Sequence, residues 1–281
     1  MSTHKTMLRG RRHALLFGSI GMIALASLLQ SCADDNVSPT PKAGDPRSVL
    51  TGGGTGVGFG NIDISDVFGF AQADLHFIHD DRIGDNEGVY YRATLWNTDG
   101  PVDLTTATAD GAALRYTAPG VVSEGYSLSG TQPGGTSTWT LRGADGTSLT
   151  NASISVPTRP VITSPSCYQQ ISASRDLNVR INSSVTGGDA VVMLVYDSYR
   201  DQEFGLLDTP PVGSTIVSRT YTTSDDGTLE IPASTFNGLA RGRVYDLIVY
   251  RWKYQTYNRS DDRKVGIVAD TKYAIPIILT D

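Results

Sequence analysis

Leu239-Ala-Arg-Gly-Arg-Val-Tyr-Asp-Leu-Ile-Val249 decides how this chain folds. Beyond Gly242 the apolar side chains recur at every second position, as Tyr245, Leu247 and Val249. Successive strand side chains point to opposite faces, so these three share one buried face. The same parity runs on past Val249. Ile248, Tyr250, Trp252 and Tyr254 fall together on the opposite face. Arg251 and Lys253 keep the inner parity, and the expectation is that a long strand leaves the core near them.

Working outward, the chain repeats this logic. Leu177-Asn-Val-Arg-Ile181 alternates, and Ala190-Val-Val-Met-Leu-Val-Tyr196 reads as a central strand buried on both faces. Ile216 to Thr222 is followed by Ser224-Asp-Asp-Gly227 and then Thr228-Leu-Glu-Ile231. Asp-Gly between two such runs predicts a hairpin. Further upstream, Ala73 to His79 places Ala73, Leu75 and Phe77 on one face. Val89 to Trp96, Ala113 to Thr117 and Ser137 to Leu141 each stop at a turn rich in Gly, Asp or Pro. Trp96 and Trp139 are expected in the core. No segment after Cys32 sustains a helical period over three turns.

Pro157-Thr-Arg-Pro160 and Thr163-Ser-Pro165 punctuate the middle. Proline removes ladder donors and restricts its predecessor, so a boundary between two sandwich domains fits there. The expected fold is mostly β, with two consecutive β-sandwich domains over residues 58–157 and 158–281. Leu239 to Val249 resembles the entry to strand F of fibronectin type III and immunoglobulin-like domains. That resemblance implies a tyrosine corner, in which the Tyr245 ring packs inward and its hydroxyl bonds to nearby backbone. It implies a fold and a binding or spacer role, and no reaction.

The N-terminus carries an address. Lys5, Arg9, Arg11 and Arg12 precede an uncharged apolar run from Ala14 to Leu29, which ends at Leu29-Gln-Ser-Cys32. These are the parts of an export signal over residues 1–31. The run is shorter than the ~20 residues that cross a bilayer core. Leu-x-x-Cys resembles the lipobox of bacterial lipoproteins, which implies that Cys32 is lipidated and becomes the new N-terminus. Ala33-Asp-Asp-Asn36 resembles the surface-export signal of Bacteroidota lipoproteins. It implies the outer face of the outer membrane, with the periplasmic face as the alternative. Residues 32–57, rich in Pro and Gly, read as the lipidated cysteine and a tether.

Charge narrows the partners. Four of the 23 basic residues precede Cys32 and all 29 acids follow it, so the processed chain carries −10. A negative surface argues against nucleic acid as a partner. The expected contacts are a membrane, through acyl chains, and a glycan or surface protein. A monomer is the favoured state.

Two groups of side chains stand out. Tyr250, Trp252 and Tyr254 form an aromatic row that suits stacking on sugar rings. The competing reading is packing against a loop or the other domain. His79-Asp-Asp-Arg-Ile-Gly-Asp-Asn-Glu87 is the densest acidic loop, and Asp80, Asp81, Asp85, Asn86 and Glu87 offer oxygen donors that suit Ca²⁺. A solvated hairpin loop explains it without further assumptions. Cys167 lies between Ser166 and Tyr168 with no local His motif and reads as a partly buried structural thiol. His76 and His79 fall on opposite faces of a strand. No catalytic residues are assigned, and no enzyme is expected. The expected function is noncatalytic surface binding or adhesion. A structural subunit of a fimbria-like assembly and an unrecognised hydrolase are the alternatives.

Overall fold

The computed structural model describes residues 67–118, 121–126, 131–182, 189–196 and 218–281. The export signal, Cys32 and the tether lie outside the described residues. What is described is almost entirely strand. A large sheet runs in the order β14 (Ser218–Ser224), β13 (Asp189–Tyr196), β16 (Arg243–Asn258), β17 (Lys264–Thr280), β1 (Val67–Ile78), β2 (Asn86–Asn97), β7 (Val121–Tyr126) and β6 (Arg115–Ala118). Off this path, β3 (Gly100–Val102) pairs with β2, and β11 (Gln170–Ser172) pairs with β17. A second sheet has the order β5 (Ala112–Ala113), β4 (Leu104–Ala109), β8 (Thr136–Gly143) and β9 (Ser148–Ser155). A third consists of β10 (Ile162–Ser164), β12 (Leu177–Ile181) and β15 (Thr228–Ile231).

Two hydrophobic cores lie on one face of the large sheet. The first joins Ala71, Ala73 and Leu75 of β1, Tyr91 of β2, and Val265, Ile267 and Ala269 of β17 to Trp139, Leu141 and Ile154 of the second sheet. Trp139 is fully buried and meets Tyr91 edge-on, with ring centroids 5.7 Å apart. The second core joins Tyr245, Leu247 and Val249 of β16, and Tyr273, Ile275 and Ile277 of β17, to Val179, Leu229 and Ile231 of the third sheet. The fold is therefore mostly β, with sheets packed face to face around two cores.

The tyrosine corner is present. Tyr245 is buried, and its hydroxyl donates to the Ala240 carbonyl at 3.1 Å. Trp96 and Trp139 are both buried, and β12 alternates buried and exposed over its whole length.

Two features differ from the sequence reading. β16 does not leave the core near Arg251. It passes from the second core toward the first, and β17 runs beside it through both. At about 3.3 Å per residue, a 17-residue strand spans about 55 Å, enough to back two cores in succession. The buried residues of the second core all lie between Ile162 and Leu279, and β17 in addition gives Val265, Ile267 and Ala269 to the first. The second difference is at Asp226-Gly227. β14 pairs with β13 and β15 with β12, so the chain there crosses between sheets and does not close a hairpin. Gly227 has φ +91°, the left-handed conformation that glycine adopts without a Cβ clash.

Candidate functional site

The face of the large sheet that points away from both cores carries the polar chemistry. Register sets it out in transverse rows. Tyr250 of β16 pairs with Lys272 of β17, which pairs with His76 of β1. In the next row Trp252 pairs with Asp270, Asp270 with Asp74, and Asp74 with Tyr90 of β2. In the third, Tyr254 pairs with Val268, Val268 with Gln72, and Gln72 with Arg92. Neighbouring strands lie about 4.8 Å apart, so the middle row puts two carboxylates between two aromatic rings over roughly 14 Å. β1 and β17 run parallel, which brings Asp74 and Asp270 side by side from opposite ends of the chain.

The centre of this face is an ionic cluster. Lys272 Nζ lies 2.5 Å from Asp74 Oδ2 and 3.1 Å from Asp270 Oδ2. The second contact is an ion pair without hydrogen-bond alignment, since Asp270 Oδ2 has no hydrogen-bond partner. Asp74 Oδ1 likewise has none. Gln72 Nε2 donates to Asp270 Oδ1 at 2.9 Å. Asp270 is 2 % exposed. Burial first, and then the charge of Asp74, push its carboxyl up to about 7. Asp74 goes the other way: burial opposes its ionisation, but Lys272 and then His76 hold it below the usual carboxylate range. Burial lowers His76 against the pull of Asp74. Lys272 is raised because the two carboxylates outweigh its desolvation.

The aromatic row differs from a set of freely exposed rings. Tyr250 is buried, and Lys272 Nζ stands 6.0 Å from its ring centroid. Trp252 and Tyr254 are partly buried. The Tyr254 ring lies across Gly266, where a Cβ would come within 2.7 Å of Tyr254 Cε2. Glycine at 266 is what lets that ring lie down on the sheet. Sequence reasoning found the aromatics of β16 but missed Asp74, Asp270, Lys272 and Tyr90. They are separate in sequence, and only the parallel pairing of β1 with β17 collects them.

The acidic loop is not one ligand sphere. Asp80 is buried and turned inward: its Oδ1 caps the Arg82 and Ile83 amides at 2.9 and 3.3 Å, and its Oδ2 accepts from the Tyr168 hydroxyl at 2.9 Å. Glu87 is taken by Arg159. Asn86 starts β2, paired with Ile78. Asp85 Oδ1 accepts from His79 Nδ1 at 2.7 Å. Asp81 alone of the five joins a metal-competent group among the described residues, with His79 and Cys167.

No protein-family model and no curated protein matches the chain. Solved structures similar to it include fibronectin(III)-like modules of Clostridium thermocellum CbhA, at 19% identity and TM-score 0.20, over 43% of this chain and 94% of that one. Another is SGBP-B of a Bacteroides ovatus mixed-linkage glucan utilization locus, in complex with a mixed-linkage heptasaccharide. It shares 12% identity at TM-score 0.19, over 68% of this chain and 42% of that one. A third is the adhesin InvE of Yersinia pseudotuberculosis, at 14% identity and TM-score 0.20, over 77% of this chain and 61% of that one. The chain thus spans less than half of SGBP-B. At these scores the likenesses carry no argument about what this chain binds.

Proposed function

We propose that the chain is a noncatalytic binding module whose recognition surface is the outer face of β16, β17, β1 and β2, and whose ligand is a glycan. The observation that carries this reading is the middle row, in which Trp252 and Tyr90 flank Asp270 and Asp74. Sugars are recognised by flat rings against their C–H faces and by charged acceptors for their hydroxyls. Asp74 Oδ1 and Asp270 Oδ2 are two buried acceptor atoms without hydrogen-bond partners on that row. Two carboxylates with opposite shifts also resemble an acid–base pair. Here the Lys272 ammonium stands between them and occupies the space a scissile bond would need, which favours binding over hydrolysis. In the same proposal, acyl chains on Cys32 hold the module at the outer face of the outer membrane, in keeping with the lipobox and the acidic pair behind it.

The test is a polysaccharide panel and glycan array with the full chain, beside Trp252→Ala and Tyr90→Ala. Binding that falls at least tenfold in each variant, with an unchanged melting temperature, supports the reading. Equal binding by both variants and the wild type, or none by any of the three, rejects it. Labelled fatty acid incorporated by the wild type and not by Cys32→Ser tests the anchor.

A further inference from the structure

Two loops meet beside β17, in the gap between its neighbours β1 and β11. The first follows β1. The His79 amide donates to the Ala274 carbonyl at 2.9 Å, and the Gly84 amide donates to the Asp80 carbonyl at 2.9 Å. The second leads into β11. The Tyr168 amide donates to the Pro276 carbonyl at 2.6 Å, and the Gln169 amide to the Ser166 carbonyl at 3.1 Å. The Tyr168 hydroxyl on Asp80 and the Arg82 guanidinium over the Tyr168 ring at 4.3 Å fasten one loop to the other. This fixed junction presents His79, Asp81 and Cys167 to each other, from positions 88 residues apart for His79 and Cys167.

One ligand atom from each of these three residues lies within 4.8 Å of the others. His79 Nε2 is 3.1 Å from Asp81 Oδ1. Ligand atoms of a tetrahedral zinc ion are roughly 3.3–3.8 Å apart, from bond lengths of about 2.0–2.3 Å. The nitrogen and oxygen already stand at about that separation, and the sulfur needs a shift on the order of 1 Å. The imidazole is oriented as a metal ligand requires. Its other nitrogen, Nδ1, is 2.7 Å from Asp85 Oδ1, and a carboxylate that holds the Nδ1 proton leaves Nε2 with its lone pair toward the ion. The donor set is nitrogen, sulfur and oxygen. Thiolate and imidazole select a borderline-soft cation and disfavour Ca²⁺, which takes six to eight oxygens.

We propose that His79 Nε2, Cys167 Sγ and an Asp81 carboxylate oxygen bind one zinc-like divalent ion, with Asp85 as the outer carboxylate that orients His79. Three protein ligands leave the fourth position open to water or to a ligand donor. As the metal–sulfur bond forms, the Cys167 proton passes to solvent, with no change of oxidation state.

The experiment is a Co²⁺ titration of the full chain, with Cys32→Ser in every arm so that Cys167 is the sole thiol. The expected result is one equivalent bound, with a thiolate-to-cobalt charge-transfer band and tetrahedral visible absorption, both bleached by Zn²⁺ and untouched by Ca²⁺. Cys167→Ser removes the charge-transfer band. Asp81→Asn, at an exposed position that does not threaten the fold, weakens binding. Asp85→Asn weakens it about 10–100-fold, the usual effect of losing an outer carboxylate. A titration without the band, binding equal in wild type and Asp81→Asn, or displacement by Ca²⁺ overturns the proposal.

Discussion

Arg251 and Asp225 form a buried two-point ion pair where the two cores meet. The Arg251 Nε donates to Asp225 Oδ2, and a terminal guanidinium nitrogen donates to Oδ1 at 3.0 Å. Both side chains are almost wholly buried, at 4% and 1% exposure. The other terminal nitrogen donates to the Thr158 carbonyl at 3.1 Å, and the Thr271 hydroxyl donates to the same carbonyl at 3.4 Å. Arg251 thereby gathers the crossing before β15, the segment after Pro157 and the middle of the long hairpin into one polar node.

Breaking that pair from one side strands a buried charge. Asp225→Ala is expected to cost about 3–5 kcal/mol, and Arg251→Met a similar amount. The double variant should cost much less than their sum, because neither charge is left behind. Urea unfolding of the four proteins gives the coupling energy. Additive losses would mean that the pair is not a unit.

Stability should fall with rising pH through Asp270. Its folded carboxyl titrates at about 7 and its unfolded one near the ordinary 3.8, so between these values the folded state keeps a proton that the unfolded state has lost. Proton binding in excess by the folded state makes stability decline across that window and level off above about pH 7. Asp74 and His76, both shifted down, act oppositely, in the acid range and up to about 6.5 respectively. Asp270→Asn keeps the Gln72 contact and carries no charge. Its melting temperature, compared with wild type at pH 4.5 and pH 8, should gain on the wild type as pH rises. A constant difference would show that Asp270 is ionised throughout.

Gly266 and Tyr254 should behave as a pair. A Cβ at 266 falls 2.7–3.1 Å from Tyr254 Cε2, hydroxyl and Cζ, so Gly266→Ala must lift the ring and cost about 1–3 kcal/mol. In a Tyr254→Ala background the same change should be nearly neutral. Thermal unfolding of both singles and the double decides this. If glycan binding depends on the flat ring, Gly266→Ala should weaken it as well.

Residues 67–157 alone should not fold. They hold β1, β2, β8 and β9 but lack Val265, Ile267 and Ala269, and β1 would lose its β17 neighbour and expose an edge. Circular dichroism and urea titration of that fragment should show no cooperative transition. A sharp transition would mean that the first core closes without β17.

Much of the fold was legible because it is local. Tyr245 reaches its acceptor only five residues back, and alternation along β12 and β16 needs no knowledge of partners. The failures share one cause. Asp226-Gly227 has the chemistry of a hairpin turn, but Asp225 is claimed by Arg251, and the two flanking strands go to different sheets. Arg251 itself looked like a charge at a strand end, since nothing nearby in sequence announces its buried partner. Asp80 looked like a metal donor until its two oxygens were seen capping a turn and holding Tyr168. The aromatic half of the candidate site was visible as a period of two. The carboxylate half comes from β1 and β17, whose meeting no local pattern encodes.

That meeting also sets an order of events. Gln72 and Asp270 touch across 198 residues, and β17 supplies a wall of the first core. A chain made from its N-terminus onward normally lets its first domain close first. Here the first core needs a strand whose Asp270 lies 198 residues beyond Gln72, and closing so long a loop slows folding. Without β17 the first core lacks a wall, and the hairpin of β16 and β17 ties it to the second.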